Sequence, residues 1–152
     1  MKVSCTRRIQ FCAGHRVFGH ESKCGHLHGH NYVALFEAAP KIGLDSIGRV
    51  IDFSVLKNRI GEWIDRNWDH GLILFANDLE AIQAVGAIGC GKGIQKLYLL
   101  DANPTAENMA SFLVNFVCPM LFEREPIRVV RVTLWETENC FATVEAKDVS
   151  SQ

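Results

Sequence analysis

The stretch "HGHNYVALFEA", residues 28–38, constrains this chain more than any other. It reads as a strand, on which side chains two apart point to the same side, so His28 and His30 present both imidazoles to one point. Gly29 between them keeps the opposite face clear. A helix could not do this, because its paired ligands need an i, i+4 spacing. Residues 3–11 supply a neighbouring strand in a hairpin-like pair, with Val3, Cys5, Ile9 and Phe11 on one parity and Lys2, Ser4, Thr6 and Arg8 on the other. Continued without a bulge, the apolar parity reaches His15. Three imidazoles on adjacent strands with a fourth position open make a catalytic zinc arrangement, so His15, His28 and His30 are the candidate ligands. The competing reading is a solvated loop rich in Gly and His. His20 and His26 are assigned to the surface or to an outer shell.

The remaining chain alternates between the two periodicities. From Ser54 to Asn67 the apolar residues Leu56, Ile60, Trp63 and Ile64 form one helical stripe, with Ser54 as the expected N-cap. A second helix follows Thr105, its expected N-cap, with Glu107 beside the positive end of the dipole and Met109, Phe112, Leu113, Phe116 and Val117 as the expected buried face. Pro119 should end or kink it. Two strands close the chain: "IRVVRVTLWE", with Val130, Val132 and Leu134 on one face, and "CFATVEA" after a short turn. Residues 76–97 hold a possible short helix around Leu79 to Val85 and otherwise read as a flexible excursion. The order strand, strand, helix, helix, strand, strand predicts an α+β domain over residues 1–152, an antiparallel four-stranded sheet with two helices on one face.

Charge and cysteine usage narrow the function classes. Sixteen Lys and Arg against 17 Asp and Glu leave a formal charge of −1, with no global attraction to nucleic acid or an anionic membrane. The N-terminus alternates polar and apolar residues where a signal peptide needs an unbroken apolar stretch, and no run approaches the roughly 18 apolar residues of a membrane span. A cytoplasmic protein is expected. The six cysteines are scattered without a CxxC pair, so they read mostly as small buried hydrophobes rather than a disulfide framework.

Three further features carry chemistry. Cys24 lies four residues before His28, either as an unligated thiol whose pKa a nearby cation would lower or as a fourth ligand that would close the site. Asp69 and His70 are adjacent, which is either a polar turn or a base with its holder if His70 reaches Cys24. Glu136 extends the apolar parity of the third strand. Burial there demands a partner, either a ligand edge with two N–H groups or a neighbouring arginine.

Taken together, "FCAGHRV", "KCGHLHGHNY", "GRVIDFSVLK", "DH", "PTAENMA" and "ETEN" occur in the order found in the pyruvoyltetrahydropterin synthase family, which the chain resembles from about Phe11 to Glu136. The Cys-x3-His-Gly-His spacing is similar to the family's bacterial branch, the 6-carboxytetrahydropterin synthases of queuosine biosynthesis. The resemblance implies a tunnelling fold assembled as a homohexamer, a dimer of trimers, with sites between subunits. It implies zinc on His15, His28 and His30, proton transfer by Cys24, Asp69 and His70, and a pterin held by Glu136 in a pocket lined by Thr105 and Glu107. The implied reaction converts 7,8-dihydroneopterin triphosphate to 6-carboxytetrahydropterin, acetaldehyde and triphosphate without an organic cofactor. Arg16, Lys23 and Arg128 are candidates for the triphosphate. Two alternatives remain: a 6-pyruvoyltetrahydropterin synthase, which the "ETEN" turn resembles, and a non-catalytic zinc- or pterin-binding module.

Overall fold

Alternation along the first two strands builds the frame of the site. The computed structural model describes residues 3–91 and 93–147, so Lys2, expected on the polar face, lies outside the described residues. Strand β1 (Cys5–His15) and β2 (His28–Pro40) pair antiparallel over their length, with Ala13 opposite His30 and His15 opposite His28. No bulge interrupts β1, so the parity that buries Phe11 and Ala13 also buries His15. Strands β7 (Ile127–Thr137) and β8 (Cys140–Glu145) extend the sheet beyond β2, giving the four antiparallel strands expected from the sequence.

Two short strands enlarge that sheet on its other side. β3 (Gly71–Phe75) runs parallel to the end of β1, and β6 (Leu97–Leu100) runs parallel to β3, so the order is β6-β3-β1-β2-β7-β8. The sheet therefore has six strands and is mixed. The stretch 76–97, expected as a flexible excursion, holds regular elements among its described residues. It contains α2 (Leu79–Gly86), capped by Asp78, and a two-stranded ribbon of β4 (Gly89–Cys90) and β5 (Gly93–Ile94). A helical crossover between parallel strands is what lets β3 and β6 pair.

Helix α1 (Phe53–Asn67) buries Leu56, Ile60 and Ile64 against the sheet. Its N-cap is Asp52, whose carboxylate accepts from the backbone N–H of Ser54 at 2.8 Å, so the helix starts before the expected Ser54. Helix α3 (Ala106–Phe112) has Thr105 as its cap and continues through a π-turn (Leu113–Val117) into α4 (Cys118–Leu121). The π-turn inserts a residue and rotates the stripe, so Val114 is buried while Phe116, expected inside, is 64% exposed. α1 and α3 share the face that holds the main core. α2 packs instead with Leu72, Leu74 and Leu97 in a separate cluster.

Two further expectations change. The register shifts where β7 meets β2 at Glu37 and Ala38, so Val129 is buried with Val132 and Leu134, while Val130 is only half-buried. Of the six cysteines, all free, only Cys118 is buried; Cys12, Cys90 and Cys140 are exposed.

Candidate active site

The three histidines converge. One ring nitrogen from each of His15, His28 and His30 lies within 4.8 Å of the other two, and the Nε2 atoms of His15 and His28 are 3.1 Å apart. Their tautomers follow from their outer partners. The Nδ1–H of His15 donates to the carbonyl of Pro104 at 2.7 Å, and that of His28 donates to the carbonyl of His26 at 2.7 Å. A carbonyl only accepts, so each Nδ1 carries a proton, and the two Nε2 atoms face each other. Burial pushes His15 down to about 4, with the Pro104 carbonyl opposing and the neighbouring His28 and His30 adding to it. Burial, then His28, lowers His30 as well. A cation between the two Nε2 atoms would be accepted by both rings. The donor set fits a metal ion held by three imidazoles, with outer hydrogen bonds in place on His15 and His28. Gly29, between two ligands, is closely backed by β1: an added Cβ would lie 3.1 Å from the Ala13 carbonyl oxygen.

Cys24, on a single 3-10 turn (Lys23–Gly25), is not among the converging groups. It lines a pocket of about 210 Å³ together with His15, His20, Thr105, Glu107 and Glu136. The carboxylate of Glu136 stands 3.8 Å from His15 Nε2, and no arginine pairs with it among the described residues. Burial and then the nearby Glu107 raise its pKa, against the opposing pull of His28. The pocket thus offers a thiol, two carboxylates and the Thr105 cap beside the imidazole cluster, with hydrogen-bond acceptors available to a planar ligand edge.

Asp69 and His70 lie in the turn after α1 and are hydrogen-bonded to each other. His70 Nδ1 bonds Asp69 Oδ2 at 2.8 Å, while Asp69 Oδ1 accepts from the backbone N–H of Cys12 at 2.8 Å. Burial opposes ionisation of Asp69, but the Cys12 N–H, the His70 ring and the charge of Lys96 together hold its pKa below the ordinary value. This pair does not line the Cys24 pocket. His70 is 79% exposed and borders a different depression with Cys12, Gly14, Gly29 and Asn31. Of the candidate phosphate contacts, Arg16 is taken: it forms two hydrogen bonds of 2.5 and 2.6 Å to the fully buried Asp78 and a third to Glu80. Arg128 sits at the far end of β7 from Glu136, and Lys23 flanks Cys24. The Pro104 carbonyl, Cys12 and Lys96 are site residues that sequence reasoning missed, since each acts through a backbone atom or through a distant partner.

The sequence profile of the 6-pyruvoyl tetrahydropterin synthase family matches residues 4–147, nearly the whole chain. The chain belongs to this family. A Rickettsia bellii member named 6-carboxy-5,6,7,8-tetrahydropterin synthase is 45% identical over 142 residues, spanning 93% of this chain and 99% of its own. An Aquifex aeolicus member of the same name is 30% identical over 158 residues, spanning 90% and 94%. Among solved structures, a Wolinella succinogenes protein of unassigned function superposes with a TM-score of 0.73 at 22% identity, covering 95% of this chain and 98% of that one. The Caenorhabditis elegans 6-pyruvoyl tetrahydropterin synthase superposes with a TM-score of 0.63 at 22% identity, covering 97% of both chains. The α+β tunnelling fold expected from the sequence is therefore the fold of the family's solved members.

Proposed function

We propose that the chain is a zinc-dependent 6-carboxy-5,6,7,8-tetrahydropterin synthase that converts 7,8-dihydroneopterin triphosphate, with uptake of one water, to 6-carboxytetrahydropterin, acetaldehyde and triphosphate. The observation that carries this reading is the pocket in which Cys24, Glu107 and Glu136 stand beside His15, one of three histidines whose ring nitrogens converge. Its support against the pyruvoyl alternative is the name borne by relatives 45% identical along nearly the full chain. Bound at His15, His28 and His30, zinc would polarise the side-chain oxygens of the substrate and acidify the adjacent C–H bonds.

The protein groups divide the remaining work. Glu136 accepts N–H groups of the pterin edge, which fits a carboxylate half-buried without a cationic partner. Thr105 and Glu107 border the same ring. Cys24 takes a proton from the side chain, and His70, oriented by Asp69, returns one. Cys24 and His70 line separate pockets within one chain, so the reading includes a homohexamer in which one subunit's His70 serves a neighbour's Cys24. Six free thiols fit the reducing cytoplasm, where a pathway to queuosine would operate.

The test is to incubate the zinc-loaded protein with dihydroneopterin triphosphate and determine the pterin product by mass. The carboxy product is expected. A pyruvoyl product would reassign the reaction within the family, and unchanged substrate would leave a binding module.

A further inference from the structure

The Asp69–His70 pair stands on a backbone that needs outside support. His70 has φ +56°, and it is the one non-glycine among the described residues in the left-handed region. Its exposed ring touches too little to be aimed by packing. The direction of the ring is therefore set by its Nδ1 contact to Asp69 and by the peptide group that joins Asp69 to His70.

Both polar atoms of that peptide are held. Its N–H, on His70, donates to the carbonyl of Cys12 at 2.7 Å. Its oxygen, on Asp69, accepts from the ammonium of Lys96 at 2.7 Å, and the same ammonium donates to the carbonyl of Asp65 in the last turn of α1, also at 2.7 Å. With both ends fixed the plane cannot rotate, and rotation of the plane is what would change φ at His70. With only the Cys12 contact it could swing about that hydrogen bond.

The surroundings of Lys96 are shaped for this reach. An added Cβ on Gly71 would lie 2.9 Å from Lys96 Cδ and 3.0 Å from its Cγ, so the glycine after His70 leaves the channel through which the lysine stem passes. The Lys96 carbonyl accepts from the Leu72 N–H at 3.0 Å, which fixes its backbone to the strand that His70 opens. Asp69 is thus tied to the Lys96 ammonium and Leu72 to the Lys96 backbone, from the far end of the segment that joins β3 to β6.

We propose that Lys96 is a positioning residue for the Asp69–His70 pair, pinning the peptide between them so that the imidazole presents its outer nitrogen in one direction. This rests on the assignment of that pair to proton transfer. Lys96 touches no reacting atom.

The test compares Lys96→Met, which keeps the stem and removes the ammonium, with the unaltered protein, each with its metal content measured. The expected result is a fall in kcat of about tenfold or more, with KM and metal content within about twofold. In an Asp69→Ala background the same change should cost less than about twofold, because the pair it serves is already broken. Full kcat in Lys96→Met, or an undiminished loss in the double variant, overturns the proposal. If the unaltered protein shows no turnover of dihydroneopterin triphosphate, the functional reading fails separately. The crystal structure of Lys96→Met then decides: His70 leaving the left-handed region supports the proposal, and His70 staying there overturns it. Should Lys96→Met not fold, Lys96→Gln gives the same readouts, since its amide nitrogen is one bond short of the Lys96 Nζ position that meets both carbonyls.

Discussion

Asp78 shows how a single residue outside the site governs its rigidity. Its carboxylate is fully buried, accepts twice from Arg16, and caps α2 through the Ala81 N–H. Arg16 directly follows His15, so the ion pair ties the end of β1 to α2. Removing one member of a buried pair strands the other, and Asp78→Ala should destabilise the fold by about 3 kcal/mol. Glu80→Ala, on the exposed rim of the same arginine, should cost under about 0.5 kcal/mol. Denaturant midpoints check both. The hydrogen bonds of Arg16, with burial opposing, depress the pKa of Asp78. Its contribution is therefore fully present above the unfolded carboxylate value of about 3.9 and lost as pH falls through the depressed folded value. Asp78→Ala and the unaltered protein should converge in stability only at acid pH. A gap that persists there would assign the loss to the cap and to packing.

At this scale the imidazole cluster was legible because strand parity is a geometric rule: His28 and His30 lie two apart, and an unbroken β1 carries the parity to His15. Lys96 and Pro104 were not legible. Their links to Asp69 and His15 run through carbonyl oxygens, which every residue type possesses, so no residue pattern marks them.

Among the elements, errors of reading cluster where a period slips by one. The π-turn at Leu113–Val117 exchanges Phe116 for Val114 on the buried face of the last helix, and the β7 irregularity exchanges Val130 for Val129. Neither slip changes composition, so alternation and helical stripes looked regular through both. The β7 slip has an energetic consequence that the unbroken parity would invert. Val129→Ala should cost about 2 kcal/mol, the transfer of two buried methyl groups plus a residual cavity, whereas Val130→Ala should cost under about 1 kcal/mol. Urea unfolding of the two variants measures the order directly, and equal losses would place Val130 in the core after all. The same slip leaves Leu134 and Glu136 on the core-facing parity, so the carboxylate still points toward His15.

For the whole molecule, the four antiparallel strands could be read from sequence, whereas β3 and β6 could not. They are short, pair in parallel, and depend on α2 to cover their second face, so each carries too few residues to show a period. The imidazole cluster is also a property of the folded whole, since its rings lie on two strands and those of His15 and His28 are oriented by carbonyls from two loops. Chelation should lower Tm, and one equivalent of zinc per chain should restore it. His28→Ala should abolish that stoichiometry and Cys24→Ala should retain it, as metal analysis of the purified variants would report. Retained stoichiometry in His28→Ala would mean that the three rings do not share an ion.

The separation of Cys24 from His70 makes a sharper demand on assembly. The first lines a pocket with Thr105 and Glu136 and the second a pocket with Cys12 and Asn31, and on the proposed reading a site using both draws on two copies of the chain. Cys24→Ala and His70→Ala should each be inactive alone. When the two variants are unfolded together, mixed equally and refolded, roughly one quarter of shared sites would join an intact Cys24 from one chain to an intact His70 from another. Activity should therefore return to about a quarter of the unaltered protein's. Sites contained within single chains would recover nothing under the same treatment, because every chain in the mixture carries one of the two lesions.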